Sequence, residues 1–156
     1  MQLTPIGIIR TAYVAPEGTP IQPVFSKGSG RVDIFPEYRE GLADLAGFSH
    51  IYLLYFLNRT EGFSLSCMPF MDTRQRGIFS TRAPRRPNPI GLSIVELRRI
   101  EGCVLSIGGH DILDGTPLLD IKPYVPEFDI KLRATSGWYA DAGNRQQTFD
   151  DGRFTN

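Results

Sequence analysis

The sequence is poor in cysteine and histidine, and each scarcity excludes a class of site. Among 156 residues there are 2 cysteines and 2 histidines. Cys67 and Cys103 are too few for a disulfide framework and lack metal-ligand spacing, so we expect two small, at least partly buried apolar side chains. His50 and His110 have no HExxH-type context, and we therefore expect no metal site. A structural hydrogen bond is the more ordinary role for His50.

The sequence also lacks an excess of charge of either sign. It has 17 basic and 17 acidic residues, which give a formal net charge of +0. This balance excludes a protein-wide basic field for nucleic acid, so any polynucleotide must be bound by a local patch. Arginine is concentrated locally, a pattern that is also typical of a solvated face. The clustered arginines are Arg74, Arg76, Arg82, Arg85, Arg86, Arg98 and Arg99.

Long hydrophobic runs are absent as well. No apolar run approaches the eighteen or so residues of a membrane span, and no signal-peptide pattern opens the chain. We therefore expect a soluble cytoplasmic protein. The length of 156 residues predicts one domain, and 41% hydrophobic residues are enough for a core.

Short strand-like runs dominate what is present. Alternating or continuous apolar patterns predict strands over residues 3–9, 31–35, 51–57, 77–80, 93–100, 104–107 and 118–124. Only residues 36–45 predict a helix, with proline at its start and Gly47 after it. Glu101-Gly102 predicts a hairpin turn. The expected fold is all-β, a single-sheeted barrel with one or two short helices. We expect the barrel domain over residues 1–130, and over 131–156 a tail that belongs to it or contacts a second copy.

A stiff segment, residues 80–93, lies between two of these runs. Proline fixes its own φ and forces the preceding residue into an extended conformation, so Ala83, Arg86 and Asn88 are extended and no helix can form. A stiff loop with guanidinium groups is suited to a polar or anionic ligand, because little entropy is lost on binding. A solvated connector has the same pattern. A second long loop, residues 15–30, is typical of a functional segment.

A polar cluster follows over residues 110–124. Asp114-Gly115 before Thr-Pro predicts a turn. Asp120 and Lys122 are two residues apart, so in a strand they share one face. Charges in an otherwise apolar run are costly unless they are paired or used. An ion pair at a strand end and a functional site both satisfy that condition.

Three segments together resemble the TrmO/TsaA-like family: residues 47–55 (GFSHIYLLY), 77–93 (GIFSTRAPRRPNPIGLS) and 113–124 (LDGTPLLDIKPY). The resemblance covers roughly residues 3 to 128. It implies a β-barrel methyltransferase that uses S-adenosylmethionine rather than a Rossmann fold. The implied reaction methylates the N6 nitrogen of threonylcarbamoyladenosine, beside the anticodon in the tRNA anticodon stem-loop. It also implies a homodimer, here as a short form without the family's additional C-terminal domain.

The resemblance also implies a set of cofactor-binding residues. From the chemistry of the cofactor we expect Arg82 to bind its carboxylate, Leu92 and Ile21 to sandwich the adenine, and Asp114 to accept from the ribose or the ammonium. Gly91 and Gly115 allow close approach of the backbone. The full set is Pro20, Ile21, Gln22, Asn58, Arg59, Arg82, Leu92, Ile112, Leu113, Asp114 and Gly115. At two places, Pro20-Ile21-Gln22 and Asn58-Arg59, this chain departs from the bacterial pattern.

The acceptor nitrogen is urea-like and must lose a proton, so a general base or a positioned polar group is expected. The candidates for this catalytic role are Asp114, His110 and Asp120. Guanidinium groups suit phosphate geometry, and Asn88 is either a turn residue or a reader of a base edge. The expected substrate-binding residues are Arg85, Arg86, Asn88, Lys122 and Tyr124.

Two other functions remain open. One is a module that senses S-adenosylmethionine and acts through a protein partner, and the other is a methyltransferase for a different small or RNA substrate. A tRNA-binding protein loses affinity steeply as salt rises, whereas a sensor of a small molecule does not. A plain barrel scaffold explains the two polar clusters less well.

Overall fold

Six strands close into a single antiparallel barrel in a computed structural model that describes residues 2–143 and 146–154. The described residues contain eight strands in all, six in the barrel and two outside it. They are β1 (Gly7–Arg10), β2 (Ser29–Ile34), β3 (His50–Phe56), β4 (Ser66–Cys67), β5 (Arg76–Gly77), β6 (Ile90–Glu101), β7 (Val104–Gly108) and β8 (Thr116–Pro123). Around the barrel the order is β1-β2-β7-β6-β3-β8, and β8 pairs with β1 to close it. β4 and β5 form a separate two-stranded ribbon. The predicted all-β barrel is confirmed.

Helices are short throughout the described residues. The one α-helix that the structure describes is α1 (Pro126–Asp129). Turns of 3₁₀ helix cover Pro23–Phe25, Pro36–Leu42, Leu45–Gly47, Ile78–Ser80 and Gly137–Asp141. None of these described helices has the length and apolar character needed to cross a membrane.

Two element predictions need correction. The helix predicted over residues 36–45 is two 3₁₀ helices, interrupted where Asp44 adopts φ 64°. The strand predicted over 77–80 ends at Gly77, because the chain turns there into the 3₁₀ helix Ile78–Ser80. A run of four apolar and small residues does not distinguish a strand from a helical turn.

The core lies inside the barrel and follows the period-two alternation of the strands. On β3 the inward side chains are Ile51, Leu53 and Tyr55, and on β6 Val95 and Leu97 face the same interior. The other apolar residues of the core are Ile9, Val32, Ile34, Leu45, Leu105, Ile107, Ile112 and Leu118. Closure of the sheet leaves these side chains almost without exposure and removes the edges that an open sheet would have.

Glycine allows both predicted turns. Gly102, with φ +62°, lies in the hairpin between β6 and β7, and Gly115, with φ +78°, completes the turn before β8. Positive φ is strained for residues with a Cβ, so glycine is the residue these turns require. Both turn predictions are confirmed.

Asp120 and Lys122 are paired on the outer face of β8. Between β3 and β8 the register shifts, so that Leu54 faces Asp120 while Tyr55 faces Leu118. Lys122 Nζ lies 2.8 Å from Asp120 Oδ2, with side chains 62% and 45% exposed. Exposed pairs contribute only ~0–1 kcal/mol. Of the two alternatives, the structure thus shows an ion pair at the surface.

An apolar stripe runs along the outside of β3 and β6. Its members pair across the two strands as Tyr52–Ile94, Leu54–Leu92 and Phe56–Ile90, and we call these six residues the outer stripe. Leu92 is 56% exposed and Phe56 41%. Apolar side chains of this size on adjacent outward positions form a continuous hydrophobic patch.

The C-terminal tail returns to the long loop that precedes β2. Pro20 and Phe149 form an isolated antiparallel bridge. The N–H of Ile21 donates to the carbonyl of Thr148 at 3.0 Å, and the N–H of Asp150 donates to Thr19 at 2.8 Å. Residues 146–154 are therefore packed against the barrel unit, at the mouth described next.

Candidate cofactor site

A cavity of about 420 Å³ opens at one end of the barrel. The end of β3, the start of β6 and the segment before β8 meet there, because antiparallel neighbours bring those ends together. The long loop, the Pro-rich loop and the tail form the remaining walls. Nine of the eleven predicted cofactor residues line it: Pro20, Ile21, Gln22, Asn58, Arg59, Arg82, Leu92, Ile112 and Leu113.

Arginines brace the loops around this cavity. Arg82 Nη1 donates to Gln22 Oε1 at 2.6 Å, which connects the Pro-rich loop to the long loop. The guanidinium of Arg59 donates to the carbonyls of Val14 at 2.5 Å and Asp114 at 2.7 Å. Charge-assisted bonds of this kind are stronger than neutral ones. The mouth of the cavity is therefore preorganised before any ligand binds.

Three polar side chains form a hydrogen-bonded series beside the cavity, and two of them, Tyr55 and Asp111, line it. Ser93 Oγ donates to Asp111 Oδ1 at 2.6 Å, and the hydroxyl of Tyr55 lies 2.9 Å from Ser93 Oγ. Since Ser93 has a single hydroxyl proton, Tyr55 is the donor in the second bond. Burial raises the pKa of Asp111 to about 6, whereas its bond from Ser93 acts in the opposite direction. Burial likewise raises the pKa of the Tyr55 phenol.

The absence of a side chain at Gly91 leaves space for the ring of Tyr55. A Cβ at Gly91 would lie 2.1 Å from Tyr55 Cε2, far inside van der Waals contact. The ring of Tyr55 therefore crosses directly over the backbone of β6. The predicted close approach at Gly91 is a contact within the protein that directs the Tyr55 hydroxyl towards Ser93.

The structure does not bring Asp114 and Gly115 to the cavity lining. Asp114 Oδ1 accepts from the N–H of Thr11 at 3.1 Å, and Oδ2 lies 3.9 Å from Arg10 Nη1. The N–H of Gly115 donates to Ile9 at 2.9 Å. Both residues fix the turn against the end of β1, so their contacts are structural.

His110 and Asp120, the other two candidates for the catalytic base, also lie away from the cavity. His110 is 1% exposed, and its ring lies 5.2 Å from that of Tyr13. Burial lowers the pKa of His110, so the neutral imidazole is favoured. Asp120 is on the outer face in its pair with Lys122. Neither side chain is part of the cavity lining.

Of the predicted substrate-binding residues, Arg86 alone lines the cavity. Its Nη1 donates to the carbonyl of Thr81 at 2.8 Å and to that of Ile78 at 3.1 Å, so this guanidinium holds the Pro-rich loop together. Arg85 and Asn88 lie elsewhere in the same loop, and Lys122 is paired on β8. The ring of Tyr124 packs 5.6 Å from that of Tyr52, beside the outer stripe.

A wider groove of about 1370 Å³ adjoins the cavity. Arg82 and Leu92 are among the residues that line both spaces. The groove is rich in aromatic side chains, among them Phe79, which is 76% exposed, and Trp138. Trp138 Nε1 donates to the carbonyl of Ser80 at 2.8 Å, so the tail closes one side of the groove.

Sequence reasoning missed several residues that line the cavity. Asp111 lies one position before the predicted segment 112–115 and belongs to no turn motif. Its partner Ser93 does not line the cavity but lies at the edge of the adjoining groove, and it carries a usable signal as a polar residue at an inward position of an alternating strand. Asp150 and Phe154 of the tail also line the cavity. Their segment has no periodicity and gave no signal.

A closed single-sheeted barrel with a ligand-sized cavity at its mouth defines the class, a β-barrel binding protein rather than a dinucleotide-binding α/β fold. The family model for the tRNA-methyltransferase O N-terminal domain matches residues 8–130. The chain therefore belongs to this family, as the resemblance implied.

Three similar proteins illustrate the relationship. A probable S-adenosyl-L-methionine-binding protein of Pyrococcus abyssi is 48% identical over 96% of this chain and 83% of its own length. The tRNA (adenine(37)-N6)-methyltransferase of Homo sapiens is 37% identical over 80% of this chain but only 30% of its own. The crystal structure of TrmO from Pseudomonas aeruginosa aligns with a TM-score of 0.75 at 36% identity, over 88% of this chain and 62% of that one. The chain thus spans less than two thirds of the last two proteins.

Proposed function

We propose that this chain is a methyltransferase that uses S-adenosylmethionine and modifies tRNA. The observation that carries the proposal is the cavity, which gathers residues far apart in sequence that the resemblance had assigned to the cofactor. The family of the chain and the names of its relatives support the same cofactor and reaction. The cofactor supplies a methyl group activated by a sulfonium. The protein's own part is to bind and orient the two reactants and to manage a proton.

The residues present fit this cofactor. Ile21 and Leu92 offer apolar surface for an adenine, and the guanidinium of Arg82 suits a carboxylate. Arg82 already points towards the cavity wall through its bond to Gln22, 2.6 Å long, so little side-chain entropy is lost on binding. The cavity volume of about 420 Å³ is within the range of small-ligand pockets.

The finer proposal concerns the methyl acceptor, the N6 nitrogen of threonylcarbamoyladenosine beside the anticodon. This nitrogen is flanked by a carbonyl and a purine, so its lone pair is delocalised and its proton must be removed. A polar group in the cavity meets that need better than any residue on the outer face. Aromatic side chains in the adjoining groove, such as Phe79 and Trp138, offer surfaces on which unstacked bases can stack.

A homodimer belongs to the same proposal. The outer stripe is apolar, continuous and directly beside the groove, since Leu92 belongs to both. A second copy that covers the stripe would bury this surface and bring two Arg-rich loops to one face, where they would raise the local field for RNA. Light scattering tests it: the wild type is expected to be a dimer and Ile94→Asp a monomer. Leu132→Asp, at a residue 94% exposed elsewhere, is the matched control. A monomeric wild type with full activity would refute the dimer.

The first test of the function is calorimetric titration with S-adenosylmethionine. We expect micromolar binding by the wild type, a loss of about tenfold or more in Arg82→Ala, and no change in the exposed control Arg133→Ala. Unchanged affinity in Arg82→Ala would refute the assignment of that residue. A wild type that binds no cofactor would refute the proposed function.

The second test is methyl transfer to tRNA with and without threonylcarbamoyladenosine. Transfer to the modified tRNA alone, with affinity that falls steeply as salt rises, is the expected result. Transfer to both tRNAs would refute the finer acceptor. Cofactor binding with no transfer to any tRNA would favour a sensor, the function that the binding-protein name of the Pyrococcus relative suggests.

A further inference from the structure

The hydrogen-bonded series Tyr55–Ser93–Asp111 is an unusual feature for a barrel whose core is otherwise apolar. Tyr55 and Ser93 alternate with buried apolar residues on their strands, such as Leu53 and Val95, and Asp111 lies in the segment before β8, next to the core residue Ile112. Buried polar groups are costly unless they are hydrogen-bonded, and apolar side chains of similar size would avoid that cost. Here each hydroxyl is bonded to the next, at 2.9 Å and 2.6 Å, and the series ends on a carboxylate. Both end members, Tyr55 and Asp111, line the cavity, so the series joins the core of the barrel to the cavity wall.

Among the described residues, Asp111 and Asp150 are the two carboxylates in the cavity lining, and Asp111 is the one bonded to a strand of the barrel. Ser93 from β6 and Tyr55 from β3 face it, and the charge of Arg82 from the Pro-rich loop favours its ionised form. The remaining charged groups in the cavity lining are Arg59, Arg86 and, from the tail, Asp150. Arg59 and Arg86 both donate to backbone carbonyls. Arg82 is therefore the cation that acts most directly on the Asp111 carboxylate.

We propose that Asp111 accepts the proton that the methylated nitrogen must lose, and that Ser93 and Tyr55 are positioning residues that hold its carboxylate. The inference rests on the proposed function. In the step, the nitrogen lone pair forms the N–C bond, the C–S pair remains on sulfur, and the N–H proton passes to Asp111 Oδ2. The neutral carboxylic acid then returns its proton to solvent. Oδ1 stays bonded to Ser93 throughout, so the acceptor oxygen keeps its orientation.

The pH dependence follows from the same contacts. The pKa of Asp111 is raised to about 6 by burial, so the carboxylate is ionised and competent above that pH and is lost as an acceptor below it. The hydrogen bond from Ser93 favours the ionised form. Ser93→Ala should therefore raise the pKa of Asp111 further and move the acidic limb of the rate profile to higher pH. A residue with a purely structural role would not shift that limb.

The decisive experiment combines three readouts on Asp111→Asn, Ser93→Ala and the charge control Glu37→Gln, an exposed residue. Cofactor affinity is measured by calorimetry, single-turnover methyl transfer is followed from pH 5 to 8.5, and the Asp111 carboxyl is titrated by carbon NMR without cofactor. We expect Asp111→Asn to lose about 100-fold to 10,000-fold in rate, the usual range for a general base. Its affinity for the cofactor should stay within about threefold of wild type.

Each other outcome is informative. A wild type without cofactor binding or methyl transfer would remove the proposed function, and this inference with it. If the wild type is active but Asp111→Asn keeps its rate within threefold, the proposed function stands and the inference fails. Loss of cofactor affinity in Asp111→Asn would instead make Asp111 a ligand of the cofactor and also overturn the inference. A carboxyl that titrates near its ordinary value, unchanged in Ser93→Ala, would overturn it without any activity measurement.

Discussion

Replacement of Gly91 by alanine would directly test the contact between β3 and β6 at the mouth of the barrel. The added Cβ would lie 2.1 Å from Tyr55 Cε2 and 2.4 Å from Cζ, so one group must move. Tyr55 is 5% exposed and hydrogen-bonded to Ser93 at 2.9 Å, so it cannot move freely. Overpacking of this kind costs ~1–3 kcal/mol. Loss of the hydroxyl bond costs ~1 kcal/mol more.

Gly91→Ala should therefore lower the free energy of unfolding by about 2–4 kcal/mol. At ~2–4 °C per kcal/mol for a domain of this size, Tm should fall by about 4–16 °C. Thermal unfolding followed by circular dichroism measures it. The control is Gly41→Ala, where an added Cβ meets no atom within 4 Å. The double variant Gly91→Ala/Tyr55→Ala should be less destabilised than the sum of the single variants, because the clash is absent. A Gly91→Ala protein that unfolds within about 1 °C of wild type would refute the reasoning.

Three further predictions concern the cavity and its supports. Phe154→Ala should weaken cofactor binding in calorimetry with little change in Tm, because Phe154 lines the cavity from the tail; unchanged affinity would exclude the tail from the site. Asp72→Asn should lower Tm at neutral pH, because Arg76, 2.7 Å away, lowers the pKa of Asp72 and the ionised carboxylate therefore stabilises the folded state. The stabilisation of wild type by this ion pair is lost as the pH falls below 3.8, the ordinary pKa of the carboxyl. Asp111→Asn should have a higher Tm than wild type above pH 6, and the difference should grow between pH 4 and pH 7. The reason is that the pKa of Asp111 is raised to about 6, so ionisation of this carboxyl destabilises the folded state. Equal Tm values for the two proteins across that range would contradict the prediction.

The barrel could be predicted because its strands carry the signals that sequence displays well. The continuous apolar run that became β3 and the alternation along β6 have clear periods, and Glu101-Gly102 marks a hairpin. The conformation of segments that depend on tertiary contacts is harder to predict from sequence. Residues 36–45 have helix-like punctuation, yet Asp44 at φ 64° interrupts them.

The lining of the cavity could be predicted where one continuous segment supplies it, and not where contacts between distant segments decide which side chain lies there. The resemblance pointed to the loop residues that line the cavity, such as Arg82. It did not separate Asp111 from Asp114, because that distinction depends on which carboxylate meets Ser93 and which meets Thr11 across the barrel. Sequence spacing contains no such information. The contribution of Phe154 was beyond prediction for the same reason, since it depends on a pairing between distant parts of the chain.

That pairing gives the cavity a kinetic property. The bridge between Pro20 and Phe149 and the bond from the N–H of Asp150 to Thr19 hold the tail at the mouth, whereas the barrel closes without the tail. Detachment of the tail breaks a few backbone bonds and the contact between the Phe70 and Phe154 rings, 5.0 Å apart, whereas opening the sheet breaks whole strand pairings, so detachment costs less. The residence time of a ligand would then be set by the detachment of this short segment, and a bound ligand would in turn slow hydrogen exchange at the tail amides.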